Sequence, residues 1–299
     1  MKTPLRIAIA GIGTVGGGVL KALHARGSEL AERAERKLEI VAVSARDRQK
    51  TRAADISGFP WVADPVDLAR TDANVVMELI GGEEGVAREL VEASLLAGKH
   101  VVTANKALLA HHGARLARMA EDRGLALKFE AAAAGGIPIV KALRESLIAH
   151  GIVSVRGILN GTCNYILTNM EKTERSFAEV LTEAQELGYA EADPTLDVGG
   201  GDTAHKLAIL SSLAFGTAPD LNHMLVEGIE NITLDDIYYA REFGYRIKLL
   251  GVTRRIGNGI DQRVQPAMVR LGSPLADVDG PFNAVVADAG AAGPFIFEG

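Results

Sequence analysis

Disulfide chemistry is nearly absent from this chain. Its 299 residues hold one cysteine, Cys163, so no intrachain disulfide framework exists. Cys163 has no activating pattern around it and reads as a small packed residue. Aromatic residues make up only 5%, too few for base-stacking platforms. The formal net charge of −6 repels phosphate backbones, so no nucleic-acid partner is expected. No apolar run reaches the ~18 residues of a membrane span. The start, Met1-Lys-Thr-Pro-Leu-Arg6, lacks a signal-peptide core, so a cytoplasmic, soluble chain with no membrane partner is expected. No H-E-x-x-H or H-x-x-x-H spacing occurs, which argues against a catalytic zinc. No G-x-S-x-G occurs, which leaves a serine hydrolase unsupported.

What is present is an ordinary globular composition, 47% hydrophobic and 23% charged, in a chain long enough for about two domains. Short continuous apolar runs (Leu5–Ala10, Leu38–Val43, Asn74–Ile80, Lys99–Thr103, Leu125–Glu130) alternate with amphipathic ones (Thr14–Arg26, Glu83–Ala97, Ala107–Arg123). Uninterrupted apolar strands imply a parallel sheet covered on both faces. Right-handed crossovers then make it a doubly wound, Rossmann-type α/β domain. The rhythm changes near 131–138. Beyond it the pattern predicts a helix over Ile139–Ala149, a strand over Ile152–Leu159, and helices over Thr162–Met170, Phe177–Leu187 and Asp202–Phe215. Strand-like runs at Tyr245–Thr253, Gln262–Val269 and Asn283–Ala287 read as antiparallel. The expected division is a nucleotide-binding domain over 1–134 and a C-terminal α+β domain over 135–299.

Gly11-Ile12-Gly13-Thr14-Val15-Gly16 is G-x-G-x-x-G. It follows an apolar strand and opens a helix, the context a dinucleotide turn requires. Gly11 permits the turn, Gly13 lets backbone approach a pyrophosphate, and Gly16 lets helix and strand pack closely. The second strand ends at Ser44-Ala45-Arg46 without the carboxylate that usually meets an NAD ribose. Arg46 there suits a 2′-phosphate, so NADP is expected, with NAD as the alternative. The basic residues that follow (Arg48, Lys50 and Arg52) read equally well as a solvated loop.

Glu191, Asp193, Asp197, Asp202 and Lys206 fall within 16 residues. Asp202 is expected to begin a helix and cap it. Lys206, four residues on, shares its face, and apolar Ile209 and Leu213 continue that face, so Lys206 is expected to point inward. Taken alone, the pair also reads as a surface ion pair. Gly199-Gly-Gly201 weakens that reading, because close backbone approach points to a ligand. Thr103-Ala-Asn105-Lys106 sits just past a parallel strand, where ligands bind. Lys106 there reads equally as reaching the nicotinamide end of the cofactor cleft or as an exposed lysine in an ordinary helix-entry loop. His205 is expected to point about 100° away from Lys206 and is read as structural.

These segments, with Glu130 through Pro138, Asn160-Gly-Thr-Cys-Asn-Tyr165 and Gly188-Tyr-Ala-Glu-Ala-Asp-Pro194, together resemble homoserine dehydrogenase. The resemblance spans nearly all of the chain to about residue 215. It implies NAD(P)-dependent interconversion of L-homoserine and L-aspartate 4-semialdehyde, on the route to threonine, isoleucine and methionine. It implies that Lys206 transfers the proton, with Asp202 as its partner and Lys106 close to cofactor and substrate. Glu191 would meet the substrate ammonium, with Asp197, Gly161 and Thr162 beside the substrate. Thr103 and Asn105 would join the glycine turn at the cofactor. Sodium would be held by Glu130, Ala133, Gly135 and Ile137, mostly through carbonyls. A homodimer is implied as well, and strand edges after residue 245 suit it. The family continues with a Gly-Ala-Gly-Gly loop, a returning helix and often an ACT domain. This chain ends at Gly299, so the closing segment is expected to be missing. Two other readings remain open: an NADP-linked dehydrogenase for another amino or hydroxy acid, and a non-enzymatic NADP-binding sensor or scaffold.

Overall fold

The structure, a computed structural model, describes residues 2–52 and 54–299. It contains two compact units, Met1–Ala132 and Ala133–Gly299.

The first unit contains, in chain order, β1 (Lys2–Ala10), α1 (Thr14–Ala34), β2 (Arg36–Ser44), β3 (Val75–Glu78), α2 (Val86–Leu96), β4 (His100–Thr103), α3 (Lys106–Glu121) and β5 (Leu127–Lys128). The strands form one parallel sheet in the order β2-β1-β3-β4-β5. The run over β1 is continuously apolar because both faces are covered. Ile7 and Ile9 pack with Leu20 and Val43 on one side, while Ala8 and Ala10 pack with Leu68, Val76 and Leu90 on the other. The chain order reverses at β1, whose neighbours are β2 and β3. That reversal opens a crevice at the strands' carboxyl ends. The link from β2 to β3 carries a 3-10 turn, Pro65–Arg70, rather than a full helix, capped by the Asp64 carboxylate accepting from the Val66 N–H.

The second unit contains α4 (Ile139–Lys141), β6 (Ser154–Ile158), α5 (Gly161–Thr173), α6 (Phe177–Glu186), α7 (Thr195–Val198), α8 (Gly201–Phe215), β7 (Leu225–Val226), α9 (Leu234–Glu242), β8 (Tyr245–Ile256), β9 (Gly259–Arg270), β10 (Ala284–Asp288) and β11 (Pro294–Glu298). Its sheet runs β11-β10-β6-β8-β9-β7. All neighbours are antiparallel except the short β7–β9 pair. The late strands are antiparallel as expected, but β9 and β10 are not neighbours, since β6 and β8 lie between them. The helix expected over 139–149 is broken. After α4 the Leu147 N–H bonds the Ala142 carbonyl five residues back, which widens the turn into a π segment. Helix α8 lies directly on β8, where a Cβ at Gly251 would come within 3.1–3.4 Å of Leu159, Thr203 and Leu207. Among the described residues, no helix is long and apolar enough to cross a membrane.

One buried charge stands out in this core. Lys248 on β8 is 1% exposed. Its ammonium donates to Asn164 Oδ1 at 3.0 Å and to the Val278 carbonyl at 2.6 Å. Asn164 in turn faces the Val278, Gly280 and Phe282 carbonyls, so lysine and amide together fasten the 278–282 segment to α5. Burial, with Arg246 nearby, pushes the Lys248 amine down to about 8. A folded-state value below the unfolded one means that the unfolded chain binds more protons between pH 8 and about 10.5. Stability attributable to Lys248 therefore rises with pH across that window. Urea unfolding from pH 7 to 10 tests this. Relative to Lys248→Met, the wild type gains stability as pH rises, and parallel curves would refute the assignment.

Candidate active site

In the first unit, the turn after β1 is built by backbone crowding. Gly11 has φ +90°, and a Cβ there would lie 2.3 Å from the Leu79 carbonyl oxygen. A Cβ at Gly16 would lie 2.0 Å from the Gly11 oxygen. Both positions admit only glycine. A Cβ at Gly13 would meet nothing within 4 Å, so the protein's own packing does not require that glycine. Gly13 is also the N-cap of the 21-residue α1 and offers no side-chain cap to the first-turn N–H groups. Uncapped N–H groups at the positive end of a long helix, beside open space, suit a pyrophosphate. Val15 is exposed and Ile12 buried.

Arg46 stands exposed just past the end of β2. Two of its basic neighbours are engaged elsewhere. Arg48 lies 5.8 Å over the Trp61 ring. Arg52 folds back to donate to the Ile12 carbonyl at 3.2 Å and the Lys50 carbonyl at 2.8 Å, which ties the basic loop to the glycine turn.

At the ends of β3 and β4, Thr103 Oγ1 donates to Glu78 Oε2 at 2.6 Å, and the Asn105 N–H donates to Thr103 Oγ1 at 2.9 Å. Asn105 Nδ2 donates to the Gly82 carbonyl at 2.6 Å, and its Oδ1 caps α3 at the Leu108 N–H. Glu78 also accepts from the Ile80 and Gly81 N–H groups. The Thr103 and Asn105 side chains thus shape the 80–82 loop from within the unit. Lys106 follows the cap at the first position of α3 and is half-buried. Glu78 escapes pattern reading, although a lone carboxylate ending an apolar strand is its trace in the sequence.

The second unit gathers Asp197, Asp202 and Lys206. Lys206 Nζ donates to Asp202 Oδ2 at 2.6 Å and to the Leu159 carbonyl at 2.6 Å. Side-chain exposure is 15% for the lysine and 3% for the aspartate, so this is a buried pair and the surface reading fails. The cap position of α8 belongs to Gly200 in a left-handed conformation. Asp202 sits inside the first turn and is turned toward lysine and amide, so it does not fill the cap position expected of it. Asp193 is not in the cluster, because it is exposed and its Oδ1 accepts from the Thr195 N–H at 3.1 Å.

Asn160, the cap of α5, holds the group together. Its Nδ2 donates to Asp197 Oδ1 at 2.7 Å and to Asp202 Oδ2 at 2.9 Å, while its Oδ1 accepts from the Cys163 N–H at 2.7 Å. Cys163 is fully buried. Burial, then the nearby Asp197 and Asp202, push its thiol up, so it is no nucleophile. Gly161 packs against the Pro281 backbone, where an added Cβ would lie only 2.5 Å from the Pro281 carbonyl oxygen. Thr162 Oγ1 donates to the Tyr189 carbonyl at 2.7 Å. Glu191 is exposed on the 188–194 loop, whose backbone is held where Gln185 Nε2 donates to the Glu191 carbonyl at 3.0 Å.

A glycine-turn Rossmann unit joined to a unit with a buried carboxylate–lysine pair defines a two-domain nicotinamide-dependent oxidoreductase. The family model for the homoserine dehydrogenase NAD binding domain matches residues 11–130, and the homoserine dehydrogenase model matches residues 138–299. A homoserine dehydrogenase of Neisseria gonorrhoeae is 48% identical over 297 residues, 99% of this chain and 68% of that protein. One of Bacillus subtilis is 42% identical, with 99% and 68% covered. A solved homoserine dehydrogenase from Thiobacillus denitrificans superposes with a TM-score of 0.94 at 46% identity, again covering 99% and 68%. The chain belongs to the homoserine dehydrogenase family.

Removing one partner of the buried pair strands the other. Asp202→Ala is expected to cost about 3–5 kcal/mol of stability. Adding Lys206→Met to that variant is expected to recover part of the loss. Chemical denaturation of the two singles and the double checks this, and additive losses would contradict it.

Proposed function

We propose that this chain interconverts L-homoserine and L-aspartate 4-semialdehyde with NADP as hydride carrier and NAD as the alternative. The observation that carries the reading is the buried Asp202–Lys206 pair, 2.6 Å apart, in a chain of this family. The glycine turn, Gly11, Ile12, Gly13, Thr14, Val15 and Gly16, fits the cofactor. The open side of Gly13 and the uncapped start of α1 leave room and donors for phosphate. Arg46, exposed just past the end of β2, fits a 2′-phosphate. Thr103 and Asn105 support the neighbouring loop rather than offering free side chains. When bound, the nicotinamide accepts or returns the hydride.

The chain's own residues manage protons and position. In oxidation the substrate hydroxyl loses its proton as the carbonyl forms, and neutral Lys206 takes that proton on Nζ. In reduction the ammonium returns it. Asp202 holds the charged form of Lys206 in place. Lys106 is assigned to the reacting end of the cofactor and substrate. Glu191, solvent-facing on a loop held by Gln185, is assigned to the substrate's ammonium. Asp197, Gly161 and Thr162 form the wall beside it, Gly161 and Thr162 through backbone placement. These assignments favour an amino-acid substrate over a simple hydroxy acid, and an enzyme over a nucleotide sensor.

Sodium is assigned to Glu130, Ala133, Gly135 and Ile137. One carboxylate with backbone carbonyls is a hard-oxygen donor set suited to an alkali cation. The consecutive left-handed residues Ala134 (φ 53°) and Gly135 (φ 58°) bend that segment sharply. The Ile137 carbonyl already accepts from the Ile139 N–H at 2.8 Å and has a lone pair left. A homodimer and a cytoplasmic location complete the reading. In support of the dimer, β11 is an edge strand with exposed Phe295 and Ile296.

Lys206→Ala is expected to cut turnover at least ~100-fold, with NADPH affinity, read by fluorescence titration, unchanged. Near-normal turnover would remove Lys206 from the chemistry. Glu191→Gln is expected to raise KM for homoserine about tenfold or more, the scale of one charge-assisted contact, while the KM for NADP holds. Arg46→Ala is expected to weaken NADP binding and leave NAD binding unaltered, as isothermal titration with each nucleotide would show.

A further inference from the structure

Lys206 cannot cycle between charged and neutral forms without consequence for Asp202. That carboxylate is 3% exposed and so has little water to turn to when its cation is discharged. An isolated buried carboxylate either takes up a proton or forces its partner to stay charged. The structure supplies a third arrangement. Asp202 Oδ2 is shared by Lys206 Nζ at 2.6 Å and Asn160 Nδ2 at 2.9 Å. The same amide nitrogen reaches Asp197 Oδ1 at 2.7 Å, so both of its hydrogens go to carboxylates. Asn160 itself is 4% exposed. Its orientation is set by its own oxygen, which caps α5 at the Cys163 N–H. The amide cannot flip without losing that cap and turning an acceptor toward two anions.

We infer that Asn160 is a positioning residue that holds Asp202 ionised while Lys206 is neutral, and so lets the lysine, rather than the carboxylate, exchange the substrate's proton. Asn160 does this by supplying a neutral donor that never leaves. Each time Lys206 discharges, Asp202 keeps the Asn160 hydrogen bond in fixed geometry, and Asp197 is held apart from it by the bridging NH2 group. The inference rests on the reading of Lys206 as the proton-transfer group. Other titratable or charged groups on α8 and the segments around it include His205 on α8, Cys163 on α5, Arg156 on β6, Glu230 after β7, Arg246, Lys248, Arg254 and Arg255 on β8 (Arg255 lying over the Phe215 ring of α8), and the ion pairs Arg144–Glu145 and Arg263–Asp261. Of the charged groups named, Asp197 and Asp202 are those that Asn160 touches.

The test uses Asn160→Ser, which retains a capping oxygen for α5 but is too short to bridge two carboxylates. A second variant, Asn160→Asp, is isosteric and replaces the donor with an acceptor. Without the amide, the neutral-lysine state is less favourable, and the ammonium persists to higher pH. The pH profile of homoserine oxidation is therefore expected to move up by about one unit in Asn160→Ser, the scale of one charge-assisted hydrogen bond. The profile of semialdehyde reduction should move the same way, and Asn160→Asp should move both further. KM for NADP is expected to stay constant. Direct titration of the Lys206 ammonium by NMR of lysine-labelled protein is expected to show the same displacement in the full chain without any turnover. Profiles and titrations that superpose on the wild type, with only a uniform drop in rate, would overturn the inference. A wild type that oxidises no homoserine would overturn the functional reading, while the NMR titration would still decide for or against Asn160.

Discussion

A carboxylate and an ammonium shut away from water at 2.6 Å are the constraint on which the second half of this molecule is organised. Burying both charges costs several kcal/mol each unless hydrogen bonds satisfy them. The surrounding chain is arranged to supply those bonds. Leu159 offers its carbonyl to the lysine, Asn160 its amide to the aspartate and to Asp197, and Gly201 lets α8 pack against Leu196 of α7. A fold built for stability alone would be as well served by apolar side chains of similar size. Retaining the pair agrees with the proton transfer proposed for Lys206.

The first half answers a different constraint. Its turn is so crowded that two of its glycines are dictated by backbone contacts alone. The third is left facing open space. Helix α1 begins there without a side-chain cap. Packing explains Gly11 and Gly16. Packing does not explain Gly13 or the uncapped helix start. The deeper support is the buried chain of Glu78, Thr103 and Asn105, which fixes the loop after β3.

Much of this was legible in the amino-acid order, and the reasons are physical. The parallel sheet announces itself because strands covered on both faces are apolar throughout, as in β1. The i,i+4 spacing of Asp202 and Lys206 correctly places them on one helix face. Pattern reading fails where tertiary contacts override local signals. Helix α1 runs on to Ala34 although Gly27-Ser28 marks a stop, since one glycine costs only about 1 kcal/mol in a helix interior. Asp202 reads as a cap because aspartates near helix starts usually are. A left-handed Gly200 takes that position and frees the carboxylate for Lys206. Asn160 hides in plain view, because capping asparagines are common and nothing local shows that its amide reaches residues 37 and 42 positions away. Helix α9 is short, and its signal is the reciprocal Thr233–Asp236 capping box rather than periodicity.

The most direct test follows the NADPH absorbance band after mixing the enzyme and NADP with L-homoserine or with 4-hydroxybutanoate, which has the same alcohol but no ammonium group. Absorbance should rise steadily with homoserine and stay near baseline with the deaminated analogue. No rise with homoserine, or equal rates with the two alcohols, would contradict the roles of the acidic loop in substrate recognition and of the buried lysine in proton transfer.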